Sequence, residues 1–177
     1  SLISENSSQN YKIDLWFVLL VFAFFFILFA LVSFTPKDAS FLTSVFPATQ
    51  TQNLAGESGA YLSSFLYYYL GAGAYVILLP LLISITRRSL GVPPQVNPLT
   101  TLNSLLGSVA LMVAASFGVS QWTPYTELDG YSFHSGGVLG ISVSTWISRL
   151  FGSAGGWFFA SLCTFSGLLL LTRVPLI

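Results

Sequence analysis

The sequence predicts an all-α membrane protein: four transmembrane helices, with a short amphipathic interfacial helix on the outer side. Two observations carry this. Only 7% of the 177 residues are charged, against about 25% in soluble domains, while 54% are hydrophobic and 16% aromatic. The few charges also fall outside four apolar runs, each about as long as the roughly 20 residues that a helix needs to cross hydrocarbon.

Residues 1–14 are polar, rich in Ser, Asn and Gln, and are expected to form a flexible cytoplasmic terminus. Residues 15–34 form the first span, with Ser33 its one polar member. A cleaved signal peptide would have a shorter apolar region, of about 7 to 15 residues, backed by a small-residue cleavage site, so a retained helix is the better reading. Residues 35–58 form a loop containing Pro36 and Pro47, long enough for a small ordered cap.

The second span is expected over about 60–86. No charge occurs from Ser58 to Thr86, and the run ends at Arg87 and Arg88. Tyr61, Tyr67, Tyr68 and Tyr69 crowd its first part, as amphipathic rings do at a membrane interface, which places that end outside. Pro80 cannot donate to the carbonyl of Val76, so a bend is expected there. Gly71 to Ala74 lacks side-chain bulk, and Gly71 and Gly73 would let another helix approach; relief of crowding among the tyrosines is the alternative.

Arg87 to Pro98, with Pro93 and Pro94, is a short stiff connection. The third span covers about 99–119, where Ala110, Ala114 and Gly118 repeat every four residues as a helix-packing stripe. An aromatic and acidic loop follows, with Trp122, Glu127 and Asp129. About 138–150 is too short to span and carries Leu139, Val143, Trp146, Ile147 and Leu150 on one face and Ser142, Ser144, Thr145, Ser148 and Arg149 on the other. It should lie in the interface, a re-entrant hairpin being the alternative. The fourth span, about 155–173, ends at Arg173 and Pro175, and 175–177 would begin a linker.

With four spans both termini share a side, which would hold Lys12, Arg87, Arg88 and Arg173 against Lys37 and Arg149 on the other. That bias favours termini in the cytoplasm. Several chemistries are disfavoured. A net charge of zero leaves no surplus of cations for phosphates, so direct nucleic-acid binding is not expected. A single Cys163 excludes an internal disulfide framework. Lys12 follows Tyr11 and Lys37 follows Pro36, so there is no Gly-Lys-Ser or Gly-Lys-Thr phosphate loop. Gly56-Glu57-Ser58-Gly59 imitates part of a nucleophile elbow, but Ala60 follows and the lone histidine, His134, is distant; a helix-entry turn explains it better. His134 with Glu127 and Asp129 lacks paired metal-ligand spacing. Spans without ionisable groups also disfavour a coupled transporter. No catalytic, cofactor-binding or metal residue is therefore expected, and no cofactor.

The sequence also carries a resemblance. Ser33-Phe34 followed by Pro36, Asp38 and Ser40, then Asn53-Leu-Ala-Gly56, Gly59-Ala-Tyr-Leu62, Leu70-Gly71, Ala74-Tyr75 and Pro80 resemble the membrane region of the FtsK/SpoIIIE family, the DNA translocases of bacterial division and sporulation. Ala39 stands where many members have proline. Ser135-Gly136-Gly137-Val-Leu-Gly140, then Leu150-Phe-Gly152-Ser-Ala-Gly-Gly156 and Gly167 to Thr172, are similar to the family's fourth-span region in order and spacing. The resemblance covers most of Leu31 to Thr172. It implies a plasma-membrane anchor at the division septum, partnered by the lipid bilayer and by division membrane proteins, possible self-association, and the protein's own cytoplasmic motor domain further along a longer chain. The alternative is a small polytopic structural or adaptor subunit of another membrane complex.

Overall fold

The computed structural model describes residues 5–40, 50–91, 97–128 and 130–172. Four helical stretches are long and apolar enough to cross a membrane: Leu15–Val32, Gly56–Ser89, Pro98–Trp122 and Gly137–Thr172. The expected linker at 175–177 and the expected stop at Arg173 lie outside the described residues.

Helix α1 runs Glu5–Val32, so the polar stretch expected to be flexible is helical from Glu5 onward. Once the apolar part is helical, each added residue gains a backbone bond without a new nucleation cost. The helix stops two residues short of the expected boundary. Ser33 Oγ donates back to the Phe29 carbonyl at 2.6 Å, and Pro36 lies just beyond.

The second stretch is three pieces. Helix α2 (Gly56–Leu70) ends at Gly71, a 3-10 segment covers Gly71–Ile77, and helix α3 runs Leu78–Ser89. The expected bend at Pro80 is therefore absent, and the break comes earlier, at Gly71. Gly71 has φ 58° and ψ −140°, a conformation that ends a helix, whereas Pro80 sits in the first turn of α3, where a missing N–H leaves no intrahelical gap.

Helix α4 (Pro98–Trp122) starts with the Asn97 side chain accepting from Leu99 N at 3.2 Å and with Pro98 in its first turn. Strands β1 (Tyr125–Leu128) and β2 (Tyr131–His134) then form an antiparallel hairpin, Tyr125 opposite His134 and Leu128 opposite Tyr131. Its two-residue connection is Asp-Gly, with Gly130 at φ 85°, a pair suited to tight hairpin turns. Helix α5 (Gly137–Thr172) breaks at Gly152, with φ 70° and ψ −178°, into a first limb over 137–151 and a second over 153–172.

The second limb runs antiparallel along α4. Their backbones meet at two glycines: a Cβ on Gly107 would lie 2.9 Å from the Gly167 carbonyl, and one on Gly167 equally close to the Gly107 carbonyl. Small residues permit this approach where lipid supplies no hydrophobic drive. Further along, Phe117 is fully buried with Ile147 and Ala160, over Gly156. In the stripe read from the sequence, Ala114 is buried, Ala110 is half-buried, and Gly118 faces only the Trp157 ring at 3.9 Å. A second core joins Leu31 of α1 to Leu66, Leu70 and Ala74. Serine and threonine hydroxyls within the spans, such as Ser84, Ser108 and Thr164, donate to the carbonyl four residues back and so carry no unmet polarity into lipid. At the end opposite the hairpin, the Arg87 guanidinium donates to the Thr172 carbonyl and ties α3 to the last turn of α5.

Gly167→Ala is expected to destabilise the fold by about 1 to 3 kcal/mol, because its Cβ would press on Leu111 and on the Gly107 carbonyl. Gly118→Ala should be neutral, or stabilising by up to about 1 kcal/mol, since it adds helix propensity in open space. Denaturant titration in detergent micelles measures both; equal losses would contradict this packing.

Candidate functional site

All but one of the buried polar residues among those described, Ser108 being the exception, lie toward the hairpin end, where they build two joints. The first joins α1 to α2 through Asn53, which is only 5% exposed. Its Nδ2 donates to the carbonyls of Ala30 at 2.9 Å and Ser33 at 3.3 Å and lies 3.4 Å from Ser63 Oγ, while its Oδ1 accepts from Ala55 N at 3.0 Å. One amide thus serves carbonyls at the end of α1 and an N–H at the start of α2. The Asp38 carboxylate, 4% exposed, holds Asn53 in place by accepting from Gln52 N at 2.8 Å and Asn53 N at 3.0 Å. Ser33 Oγ accepts from Leu54 N at 2.9 Å. Gly59 leaves room for the amide, since a Cβ there would lie 2.5 Å from Asn53 Oδ1. Gly56, at φ 70°, begins α2 with open space around it.

The second joint surrounds Ser116 of α4. Its Oγ donates to the Leu70 carbonyl at 3.0 Å, at the break, and Ala72 N donates to the Ser135 carbonyl at 2.8 Å. Three chain segments meet there with almost no side-chain volume between them. A Cβ on Gly71 would fall 2.0 Å from the Ser135 carbonyl, one on Gly137 2.6 Å from Gly71 N, and one on Gly73 2.4 Å from Ser116 Oγ. Gly136 and Gly140 press on the Ser116 carbonyl in the same way, at 2.3 and 2.6 Å. Gly71 and Gly137 also carry φ of 58° and 63°, so both crowding and backbone conformation require glycine.

An aromatic chain links the joints. Tyr67 Oη donates to Tyr75 Oη at 3.0 Å, and Tyr75 Oη donates to the Leu31 carbonyl at 3.1 Å. Phe34 stacks on Tyr67 with centroids 4.3 Å apart and turns an edge to Phe133 of the hairpin. Thr126 and Ser135 hydroxyls share a 2.6 Å hydrogen bond that fixes the hairpin to the second joint.

Of the residues singled out from the sequence, Asn53 and Gly59 meet at the first joint, and Gly71, Gly73, Gly136, Gly137 and Gly140 at the second. Gly156 lies under Phe117, Gly152 forms the open kink of α5, and Pro80 belongs to neither joint. Sequence reasoning passed over Ser116 and Ser63, whose types are unremarkable inside apolar runs, and took Tyr75 and Ser135 only as parts of the resemblance. His134 packs its ring on Tyr125 at 4.8 Å, and among the described residues no three His, Cys, Asp or Glu side chains converge as a metal site. The Asp38 carboxylate and the serine hydroxyls of the joints are engaged in these structural hydrogen bonds; what the joints fix is the relative position of α1, α2, α4, α5 and the hairpin.

Gly71 and Gly152 separate conformation from crowding. Gly152→Ala meets nothing within 4 Å, so it should cost only the backbone strain of about 1 to 3 kcal/mol. Gly71→Ala adds a clash with backbone atoms on top of similar strain and should cost at least about 2 kcal/mol more. Equal unfolding midpoints for the two variants in micelles would show that the joint is not close-packed.

Comparison with known proteins places this architecture. No curated protein and no solved structure matches the chain. A family model described as the 4TM region of DNA translocase FtsK/SpoIIIE matches residues 9–177. That match spans all four membrane helices and both joints, and the chain therefore belongs to the FtsK/SpoIIIE family of DNA translocases, as its four-helix membrane region.

Proposed function

We propose that this chain anchors a DNA-translocating motor at the site of cell division. The single observation that carries the proposal is the match of residues 9–177 to the membrane region of the translocases. In this reading the four-helix region sits in the bacterial plasma membrane at the septum, contacts other division membrane proteins, and holds a cytoplasmic motor that belongs to the full-length protein. The segment itself neither hydrolyses ATP nor binds DNA. Its zero net charge and its lack of Gly-Lys-Ser or Gly-Lys-Thr support that division of labour.

Both termini face the cytoplasm in this proposal. Lys12, Arg87, Arg88 and Arg173 then lie on the inner side, in keeping with the bias of cations toward cytoplasmic loops. The bond from Arg87 to the Thr172 carbonyl supports a shared side for the α3 end and the α5 end, opposite the hairpin. In a Cys163→Ala background, Tyr131→Cys should react with an impermeant thiol reagent in intact spheroplasts, and Ser89→Cys only after permeabilisation. The opposite pattern would invert the topology.

Targeting is tested with residues 1–177 fused to a fluorescent protein, which should concentrate at septa in dividing cells of its own source. Trp122, Tyr125 and Tyr131 are exposed on or beside the hairpin, at 81%, 68% and 51%, and take no part in the joints. Replacing all three by Ser should spread the fusion around the membrane while insertion is preserved. An even distribution of the unchanged fusion would remove the targeting proposal, and ATP hydrolysis by the purified chain would remove the non-enzymatic one.

A further inference from the structure

The crossing segments can be measured against the bilayer. Hydrocarbon is about 30 Å thick. Leu15–Val32 rises about 27 Å, and residues 153–172 of α5 about 30 Å, at 1.5 Å per helical residue. On α4, residues 98–116 rise about 28 Å before reaching the second joint. In the second stretch, the 3-10 segment contributes about 14 Å and α3 about 18 Å, so together they already match the hydrocarbon. Helix α2 would add about 22 Å more, which the membrane cannot accommodate along its normal.

The contacts give these segments a common limit. α1 ends where Asn53 takes its carbonyls, the second stretch breaks where Gly71 meets Ser135, and Ser116 of α4 bonds the Leu70 carbonyl at that break. The first limb of α5 is held against the last turns of α4 by Gln121, whose Nε2 donates to Ser144 Oγ at 2.8 Å. Beyond this shared level lie α2, the first limb and the hairpin.

Each of these two helices carries exposed aromatic side chains. On α2, Tyr61, Phe65, Tyr68 and Tyr69 fall at spacings of four, three and one, which makes one face, and they are 37% to 48% exposed. Phe65 and Tyr69 pack on each other at 4.7 Å, and Tyr68 and Tyr69 at 5.1 Å. The opposite side of α2 buries Ala60, Ser63, Leu66 and Leu70. On the first limb, Trp146 and Phe151 are 71% and 68% exposed. Three phenols and an indole beside the exposed rings of Phe65 and Phe151 suit the headgroup boundary, where a ring can bury its face and keep its polar tip wet. Phe29 on α1 and Phe158 on α5 are exposed as well.

We propose that α2 and the first limb of α5 do not cross the bilayer but lie along its headgroup–acyl boundary at the hairpin end, and that phospholipid there is the partner of both aromatic rows. The second crossing segment is then Gly71–Ser89 rather than 60–86. The break at Gly71 is the corner at which the chain turns from the membrane surface into the membrane.

Nitroxide labels test this in the chain reconstituted into phospholipid nanodiscs, on a Cys163→Ala background. Labels at Tyr61→Cys, Phe65→Cys and Tyr69→Cys report depth through the ratio of collisions with oxygen to collisions with a water-soluble nickel complex. The three depths should agree to within one helical turn, about 5 Å, at the level of the headgroup boundary. Leu79→Cys and Leu82→Cys on α3 should instead differ by about 4.5 Å, the rise of three residues along a crossing helix. A steady change of about 12 Å from position 61 to position 69 would show α2 crossing and overturn the proposal. Nickel collisions at aqueous rates at all three positions would overturn it too, by showing α2 held clear of lipid.

Discussion

Every backbone N–H and C=O freed where a membrane helix stops must find a partner inside the protein, because lipid offers none. The break at Gly71 is the severest case of this constraint in the chain, and much of the rest follows from how it is met. Ending α2 leaves the Ala72 N–H to the Ser135 carbonyl, and the Leu70 carbonyl, at the head of the 3-10 segment, takes the Ser116 hydroxyl as a further donor. Those partners come from α4 and from the entry to α5, so both elements must reach the break with backbone rather than side chain facing it. Gly73, Gly136, Gly137 and Gly140 make that approach possible. A cluster of glycines in an apolar protein is a structural cost in isolated helices, yet here each Cβ that is missing admits a hydrogen-bonding backbone group.

The same accounting explains the end of α1. The Ala30 and Ser33 carbonyls are served by Asn53 Nδ2, while Phe29 and Leu31 accept from the N–H groups of Ser33 and Phe34 and in addition from Ser33 Oγ and Tyr75 Oη. Each net bond contributes only about 0.5 to 1.5 kcal/mol, but leaving a buried acceptor unmet costs about 1 to 3 kcal/mol. The penalty for losing the partners therefore outweighs the gain from having them. That asymmetry is why the polar residues collect in one layer while the remaining length of the spans is free to be apolar.

The fold class was legible because it rests on length and charge: four charge-free runs correspond to four long helices, and the belonging of the chain to its family was carried by Asn53, Gly71 and the Gly136–Gly140 run. The joints were not legible. Pro80 drew attention as a helix breaker, but a proline in a first turn breaks nothing, and the actual break depends on a glycine whose partner, Ser135, lies 64 residues further along. The hairpin hid in a loop read for its acids, although Asp129-Gly130 between Thr-Glu-Leu and Tyr-Ser-Phe is the dipeptide that tight hairpins use. The four-residue spacing of Ala110, Ala114 and Gly118 was a sound pattern, but α4 meets α5 most closely at Gly107 because Gly167 stands opposite, and one strand of sequence cannot reveal which residue faces which.

The residues that carry the family likeness are nearly all consumed by folding. Asn53 and Gly59 are spent inside the first joint, and Gly71, Gly136, Gly137 and Gly140 inside the second, with their surfaces closed off by the segments they bring together. A likeness built largely from such residues identifies the scaffold, while Gly56 and Gly152 of the same motifs stay open. What the joints leave exposed at the same end is the hairpin with Tyr125, Glu127 and Tyr131, and Trp122 beside it. These groups owe their position to the Thr126–Ser135 bond and to the ring of Phe133 against Phe34, so the joints, buried themselves, set where this exposed surface lies.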